Sequence, residues 1–200
     1  MNRVNWSKVF EYVITTSIIM VDEELLQCFD DRRNPIEGHL RTEVKMRPYR
    51  WWCGVSNIWL VNEAGHLLCS KRADTVSWNP GKWQSYFGGH VPFGLSFEET
   101  AVKELQEEVA LRISPKDLFL VEEGVYEENK QFYKSFVSLF SGDYTDLVFT
   151  DGEIVDLKWM KMDDYWNEKE RNPDTWCNRC LPRHQKIILE WLASSKQNNR

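Results

Sequence analysis

The stretch that decides the fold is GGHVPFGLSFEETAVKELQEEVAL, residues 88–111. Its paired glycines predict a turn, and the pattern that follows predicts a helix. Three carboxylates of that helix, Glu104, Glu107 and Glu108, fall within a roughly 100° arc of one face. Like charges this close repel one another, so the grouping predicts a cation between them. Carboxylate oxygens suit a hard divalent ion, and the expected cofactor is therefore Mg²⁺ or Mn²⁺.

The helix has its own start signal. Ser96, followed three residues later by Glu99, is a capping box. Phe97, Ala101 and Leu105 recur every four residues and form an apolar stripe beside the acidic face. Glutamate is a good helix former and is common on surfaces, so a solvated helix face is the alternative reading of the three carboxylates.

The same stretch resembles the signature box of the Nudix hydrolase family. Laid on this chain, the box begins at Gly89, and five of its positions match: Glu104, Leu105, Glu107, Glu108 and Leu111. Three positions depart from it, because Leu95 replaces a Glu, Lys103 replaces an Arg and Ala110 replaces a Gly. The box is degenerate, but the central glutamates keep the family spacing. The similarity extends over roughly residues 23–170 and is greatest to the isopentenyl-diphosphate-isomerase-like branch.

The departures carry expectations of their own. Lysine offers a point charge where arginine offers a flat fork, so Lys103 should hold the box glutamates less firmly. Alanine tolerates a left-handed helix cap poorly, and the helix is expected to end differently at Ala110.

The resemblance implies a metal site made by the side chains of Glu104, Glu107 and Glu108 and the backbone carbonyl of Gly88. His90 is a weaker additional ligand by the same resemblance.

For catalysis the resemblance implies Glu104 and Glu107 in the box, and Glu153 as the general base that accepts a proton from the attacking water. Glu122 and Glu123 are the alternatives to Glu153.

Two cations are expected to bind the substrate. Arg72 would meet pyrophosphate oxygens bidentately, and Lys103 lies beside the box glutamates. A solvated loop is the alternative reading for Arg72.

The chain of 200 residues predicts one Nudix domain with an N-terminal extension (1–22), a core (23–170) and a C-terminal loop and helix (171–200). The fold class is α/β, with a mixed β-sheet sandwiched between helices. Strands are expected at Glu24–Asp30, Val55–Val61, His66–Ser70, Leu118–Tyr126, Gln131–Phe140 and Glu153–Met160, and helices near Met162–Lys169 and Arg183–Ala193.

Composition limits the partners. A net charge of −6 argues against binding extended nucleic acid. The apolar run Tyr12–Val21 is too short to span a bilayer. Five cysteines without a framework predict reduced thiols and a cytoplasmic protein. The resemblance also implies that a homodimer is an option.

The function expected from the resemblance is metal-dependent hydrolysis of a diphosphate bond in a nucleoside diphosphate linked to another moiety. One alternative is a nucleotide-binding sensor that does not cleave its ligand. Another is an isopentenyl-diphosphate isomerase, whose chemistry needs a cysteine just before the metal-binding His. Tyr86, Phe87 and Gly88 stand there instead, so a thiol in the pocket is the discriminating observation.

Cys177, Cys180 and His184 form a CxxCxxxH pattern. A zinc site needs four ligands, and the sequence offers no convincing fourth.

Overall fold

The computed structural model describes residues 24–177 and 182–198. The expected N-terminal extension and the apolar run within it lie outside these residues. The strands are β1 (Leu25–Leu26), β2 (Cys28–Phe29), β3 (His39–Leu40), β4 (Trp52–Val61), β5 (His66–Arg72), β6 (Trp83–Gln84), β7 (Phe87–His90), β8 (Phe119–Tyr126), β9 (Gln131–Leu139) and β10 (Ile154–Lys161). The helices are α1 (Arg41–Val44), α2 (Phe97–Val109), α3 (Met162–Arg171) and α4 (Pro182–Asn198).

The main sheet is mixed, as the sequence predicts. Its central path runs β10, β5, β4, β9, β8, with β4 and β9 parallel and the other neighbours antiparallel. Strands β2 and β7 also pair with β4, and β6 pairs with β5. Strand β4 therefore lies at the centre of the molecule.

The two faces of β4 bury different cores, because side chains alternate along a strand. Ile58 and Leu60 pack under α2 with Ala101 and Leu105. Trp59 and Val61 face the other way, toward Tyr165 of α3 and Ile188 of α4. Helices on both faces of the sheet confirm the layered α/β fold.

The start of α2 follows the predicted capping box. The backbone N–H of Glu99 donates to Oγ of Ser96 at 3.1 Å, and the backbone N–H of Ser96 donates to Oε2 of Glu99 at 2.8 Å. The apolar stripe is also confirmed, since Ala101 and Leu105 are fully buried. The capping box and the stripe fix both the register of α2 and the direction of its acidic face.

The end of α2 differs from the expectation. Ala110 adopts the left-handed conformation (φ 55°, ψ 19°), and its N–H donates to the carbonyl of Leu105. The chain thus makes the turn that a glycine would make, and the alanine bears the steric cost, which is about 1 kcal/mol or more.

The last helix is attached to the sheet through Glu122 of β8. Its carboxylate accepts hydrogen bonds from Nε of Arg183 at 2.7 Å and from Tyr133 Oη at 3.0 Å, and it lies 2.8 Å from Nε2 of His184. Burial opposes ionisation, but these partners together lower the pKa of Glu122 to about 2. Glu122 and Glu123 were alternatives for the general base, and neither is among the residues that line the cavity described below.

None of the helices in residues 24–177 and 182–198 combines the length and the apolar character needed to cross a membrane.

Candidate active site

A cavity of about 730 Å³ is lined by residues of β4, β7 and α2 and by the loop of residues 151–153. Five of the seven predicted site residues line it: Gly88, Arg72, Glu104, Glu108 and Glu153. They come from a strand, the end of a second strand, one helix and a loop, and only the fold brings them together. The volume is typical of a pocket for a small molecule.

Glu104 and Glu108 form the acidic end of this cavity. They lie one helical turn apart on α2, and Glu108 is 3% exposed. Burial is the main cause that raises the pKa of Glu104 to about 7, and burial followed by the neighbouring Glu104 carboxylate raises the pKa of Glu108 well above its ordinary value. The protein alone does not stabilise two negative charges here.

Glu108 also has an unsatisfied oxygen. Its Oε2 is buried and has no hydrogen-bond partner within the described part of the chain. A buried polar atom without a partner costs about 1–3 kcal/mol. A bound cation or hydrogen-bond donor from outside the protein would therefore stabilise this oxygen.

The glycine pair lies in strand β7, so the predicted turn is wrong. Gly88 pairs with Asn57 and Gly89 with Ser56 across β4. Gly88 has φ 141°, and a Cβ there would overlap the backbone of Ser56. A Cβ on Gly89 would instead reach the carboxylate of Glu104. The absence of side chains at both glycines therefore lets β7 pack closely against β4 and α2.

Glu107 and Lys103 are the two predicted site residues that do not line the cavity. They form an ion pair with each other on the outer side of α2, where about half of the Glu107 side chain is exposed. In this structure the lysine at the arginine position of the box pairs with Glu107, and neither residue lines the cavity with Glu104 and Glu108.

Arg72 ends β5 and is nearly buried at the cavity wall. Its Nε donates to the carbonyl of Trp78 at 2.9 Å, and its Nη2 lies 3.5 Å from Oε2 of Glu153. Its guanidinium carbon lies 5.4 Å from the centroid of the Trp78 ring. These contacts fix the guanidinium plane and place Glu153 beside it.

Asp151 is a functional candidate that the sequence reasoning missed. It lines the cavity, and its Oδ1 accepts a hydrogen bond from the backbone N–H of Glu153 at 2.8 Å. Burial raises its pKa, and the hydrogen bond from the backbone of Glu153 offsets part of that shift. Asp151 is the first residue of an Asp-Gly pair, which indicates only a turn in the sequence, so no local signal places it beside the cavity.

Cys53 is a second cavity residue that the sequence reasoning did not place at the site. It lies on β4, lines the cavity and is 2% exposed. Burial raises the pKa of its thiol to about 12, which keeps it neutral. No cysteine precedes His90 in the sequence, but the fold places the thiol of Cys53 in the cavity that His90 also lines.

The acidic end fits a divalent cation in part. Among the described residues, no three His, Cys, Asp or Glu side chains converge closely enough to form a complete metal cluster. A hard cation such as Mg²⁺, however, is often held by one or two carboxylates, with water and substrate oxygens completing its shell. Glu104 and Glu108, with the unpartnered oxygen, match that pattern.

The zinc hypothesis gains no support from the described residues. His184 points to Glu122, as stated above, and Cys177 is buried with a backbone hydrogen bond to Trp83. Cys180 lies outside the described residues.

Comparison with known proteins gives a consistent result. The model of the NUDIX domain matches residues 53–177. An uncharacterised Nudix hydrolase of Pseudomonas aeruginosa is 29% identical over 121 residues, which cover 60% of this chain and 68% of that protein. An isopentenyl-diphosphate Delta-isomerase of Escherichia coli is 27% identical over 115 residues, or 53% of this chain and 60% of the enzyme. The chain thus spans less than two thirds of that isomerase.

Among solved structures, a crystal structure of a Deinococcus radiodurans protein is similar with a TM-score of 0.62. It covers 84% of this chain and 98% of the other at 18% identity. At this identity the likeness shows the fold alone.

Proposed function

This chain belongs to the Nudix domain family, and from that premise we propose that it hydrolyses a diphosphate bond in a nucleoside diphosphate linked to another moiety. The observation that carries the proposal is the pair Glu104 and Glu108, enclosed at one end of the cavity with the buried Oε2 of Glu108 unpartnered among the described residues. Burial disfavours the ionised form of both carboxyl groups in the protein alone. A bound cation would stabilise their negative charges, and the pair would then act as metal ligands.

Glu104 and Glu108, with the carbonyl of Gly88, would hold Mg²⁺ or Mn²⁺. When bound, such an ion offsets the charge of the diphosphate and acidifies a water molecule. Glu107 would join them only after its ion pair with Lys103 opens. We therefore assign Glu107 a smaller share of metal binding than the sequence implied, and Lys103 the role of holding Glu107.

Arg72 is the proposed phosphate ligand. Its Nε is already used by the carbonyl of Trp78, which orients the guanidinium and leaves its terminal nitrogens near the cavity. Arginine donates to phosphate oxygens bidentately, and an oriented fork loses little freedom on binding.

Glu153 is the proposed general base. It lines the cavity with half of its side chain exposed, and its Oε2 lies 3.5 Å from Nη2 of Arg72, the proposed phosphate ligand. Asp151 is its rival, because it lines the same wall. A base must lie within hydrogen-bond reach of the attacking water, so substitution of each residue in turn decides between them.

The test is a panel of nucleotide sugars, ADP-ribose, NADH, coenzyme A, dinucleoside polyphosphates and nucleoside triphosphates, incubated with Mg²⁺ or Mn²⁺ and read by mass spectrometry. We expect cleavage at the diphosphate that EDTA abolishes and that Glu108→Gln lowers at least tenfold. Ligand-induced thermal stabilisation without any product would instead establish the sensor alternative.

A second candidate function is an isomerase of isopentenyl diphosphate, and one observation favours it. Cys53 brings a neutral thiol to the cavity wall, and a neutral thiol can donate a proton. Incubation of isopentenyl diphosphate with the protein and Mg²⁺, followed by NMR, decides the matter. Conversion that Cys53→Ala removes would support the isomerase, and an unchanged substrate would exclude it.

A further inference from the structure

The chain that leads into β10 lies against the C-terminal end of α2. The last carbonyls of a helix have no partner within the helix, and two of those in α2 accept hydrogen bonds from this part of the chain. The backbone N–H of Val148 donates to the carbonyl of Val109 at 3.3 Å. Oγ1 of Thr150 donates to the carbonyl of Glu107. The chain is therefore joined to the turn of α2 that also carries Glu108.

Apolar side chains hold the same connection to α2. Tyr144 and Leu147 are partly buried and pack against the core cluster that contains Leu105 and Val109. The connection is thus anchored to the helix before it reaches Thr150, and the next residue, Asp151, already lines the cavity.

Glu153, the proposed base, comes three residues after Thr150 and is held through its backbone. Its N–H donates to Oδ1 of Asp151 at 2.8 Å. Its carbonyl accepts a hydrogen bond from the N–H of Ala73, directly after β5, at 2.8 Å. The place of Glu153 is therefore set by the end of β5 on one side and, through Thr150, by α2 on the other.

Electrostatic repulsion works against this arrangement. Burial is the main cause that raises the pKa of Glu108, and the carboxylates of Glu104, Asp151 and Glu153 add to it. Like charges repel, so these groups tend to separate the segment of Asp151 and Glu153 from α2. A hydrogen bond from a hydroxyl to a carbonyl resists that separation without adding charge, and Thr150 makes such a bond where the two meet.

We propose that Thr150 is a positioning residue, whose hydrogen bond to α2 holds the segment of Asp151 and Glu153 at a fixed distance from Glu104 and Glu108. The inference rests on the proposed function, because a base acts only within hydrogen-bond reach of the attacking water. Without the hydroxyl, Glu153 moves relative to that water, and a displacement of about 1 Å can lower a rate about a hundredfold.

Kinetics of matched variants test this role. Thr150→Val removes the hydroxyl and keeps the shape of the side chain. We expect kcat for the best substrate of the panel to fall at least fivefold, with KM and Mn²⁺ affinity within twofold of the wild type, because the metal ligands of α2 stay in place. Thr150→Ser keeps the hydroxyl and should keep kcat within twofold of the wild type.

Thr145→Val is the matched control. Thr145 lies in the same connection, but its Oγ1 donates to Oδ1 of Asp143 at 2.8 Å, within the connection itself. The same substitution there should leave kcat unchanged.

Amide hydrogen exchange, measured by NMR in EDTA, gives a second readout that needs no catalysis. In Thr150→Val, the amides of Glu153 and Ala73 should exchange at least threefold faster than in the wild type, because both hydrogen bonds depend on the place of the segment. Amides of β4 should be unchanged, which shows that the fold is intact. Thr150→Ser and Thr145→Val should leave all these rates unchanged.

The two readouts separate this inference from the proposed function. A wild type that hydrolyses no member of the panel would sink the proposed function, and exchange alone would then decide whether Thr150 holds the segment. Exchange at Glu153 and Ala73 that Thr150→Val leaves unchanged would overturn this inference, whether or not the protein hydrolyses a substrate. In a protein that does, an unchanged kcat in Thr150→Val would overturn it as well.

Discussion

A Cβ atom on Gly89 would lie 2.8 Å from Cδ of Glu104, closer than real Cβ contacts come. The backbone of β7 and the carboxylate of Glu104 are therefore in contact. The carboxylate can occupy this position only because residue 89 has no side chain.

Gly89→Ala should displace the Glu104 carboxylate and leave the fold in place, because the atom it meets is the end of a flexible side chain. We expect Mn²⁺ affinity and hydrolysis to fall at least tenfold, which is about 1.4 kcal/mol. Gly124→Ala is the control, since its Cβ would meet the end of the Tyr133 side chain, outside the cavity lining. Equal Mn²⁺ affinity in both variants would contradict this reading of Gly89.

Glu104→Gln and Glu108→Gln should each lower Mg²⁺-dependent hydrolysis at least tenfold, whereas Glu107→Gln should cost less, because its partner is Lys103. Steady-state kinetics with the best substrate of the panel measures this. Burial raises the pKa of both carboxyls, so ionised Glu is disfavoured there, and the neutral Gln should not lower the melting temperature in EDTA in the first two variants. A loss at Glu107 as large as at Glu108 would mean that the ion pair with Lys103 opens during catalysis.

Ala110→Gly should stabilise the protein by about 0.5–1 kcal/mol. Glycine adopts the left-handed cap without the steric cost of Cβ, and its greater freedom in the unfolded chain offsets part of the gain. Urea unfolding followed by circular dichroism gives the free energy of unfolding. Ala101→Gly, in the buried middle of the same helix, is the control and should destabilise by about 1 kcal/mol or more. A loss of stability at Ala110 would show that the cap bears no strain.

Stability should depend on Glu122 in acid. Its folded pKa of about 2 lies below the ordinary 4.5, so the hydrogen bonds that its carboxylate accepts from Arg183 and Tyr133 contribute fully above pH 4.5. That contribution is lost as the pH falls from 4.5 through 2, because the unfolded chain takes up the proton first. Thermal melts across this range should show that the melting temperature falls more steeply with decreasing pH for the wild type than for Glu122→Gln.

The exposed pair of Lys186 and Glu190 provides the control for that experiment. Glu190→Gln should change stability by no more than about 0.5 kcal/mol and leave the acid slope intact. Parallel slopes for the wild type and Glu122→Gln would show that Glu122 does not attach α4 to the sheet.

The features that the sequence predicted correctly are those with local signals. The capping box at Ser96 and the apolar stripe under α2 follow from residue spacing along the helix, and the structure confirms both. The resemblance of the box to the Nudix signature implied the layered fold. Each of these depends on residues close together in the chain.

The errors have the opposite origin. Gly88 and Gly89 form a strand because β4 pairs with them, and the sequence gives no sign of that distant pairing. Glu107 pairs with Lys103 and does not line the cavity, although helical spacing places it within the same arc of α2 as Glu104 and Glu108. Asp151 and Cys53 reach the cavity only through the tertiary fold, so no local pattern could place them.

The most direct test of the central claim measures Mn²⁺ binding itself, by electron paramagnetic resonance titration of the wild type and of the double variant Glu104→Gln/Glu108→Gln. The account predicts saturable binding by the wild type and at least a hundredfold weaker binding by the double variant, with both proteins folded. Equal Mn²⁺ affinity in the two folded proteins would contradict the claim that these carboxylates hold the metal.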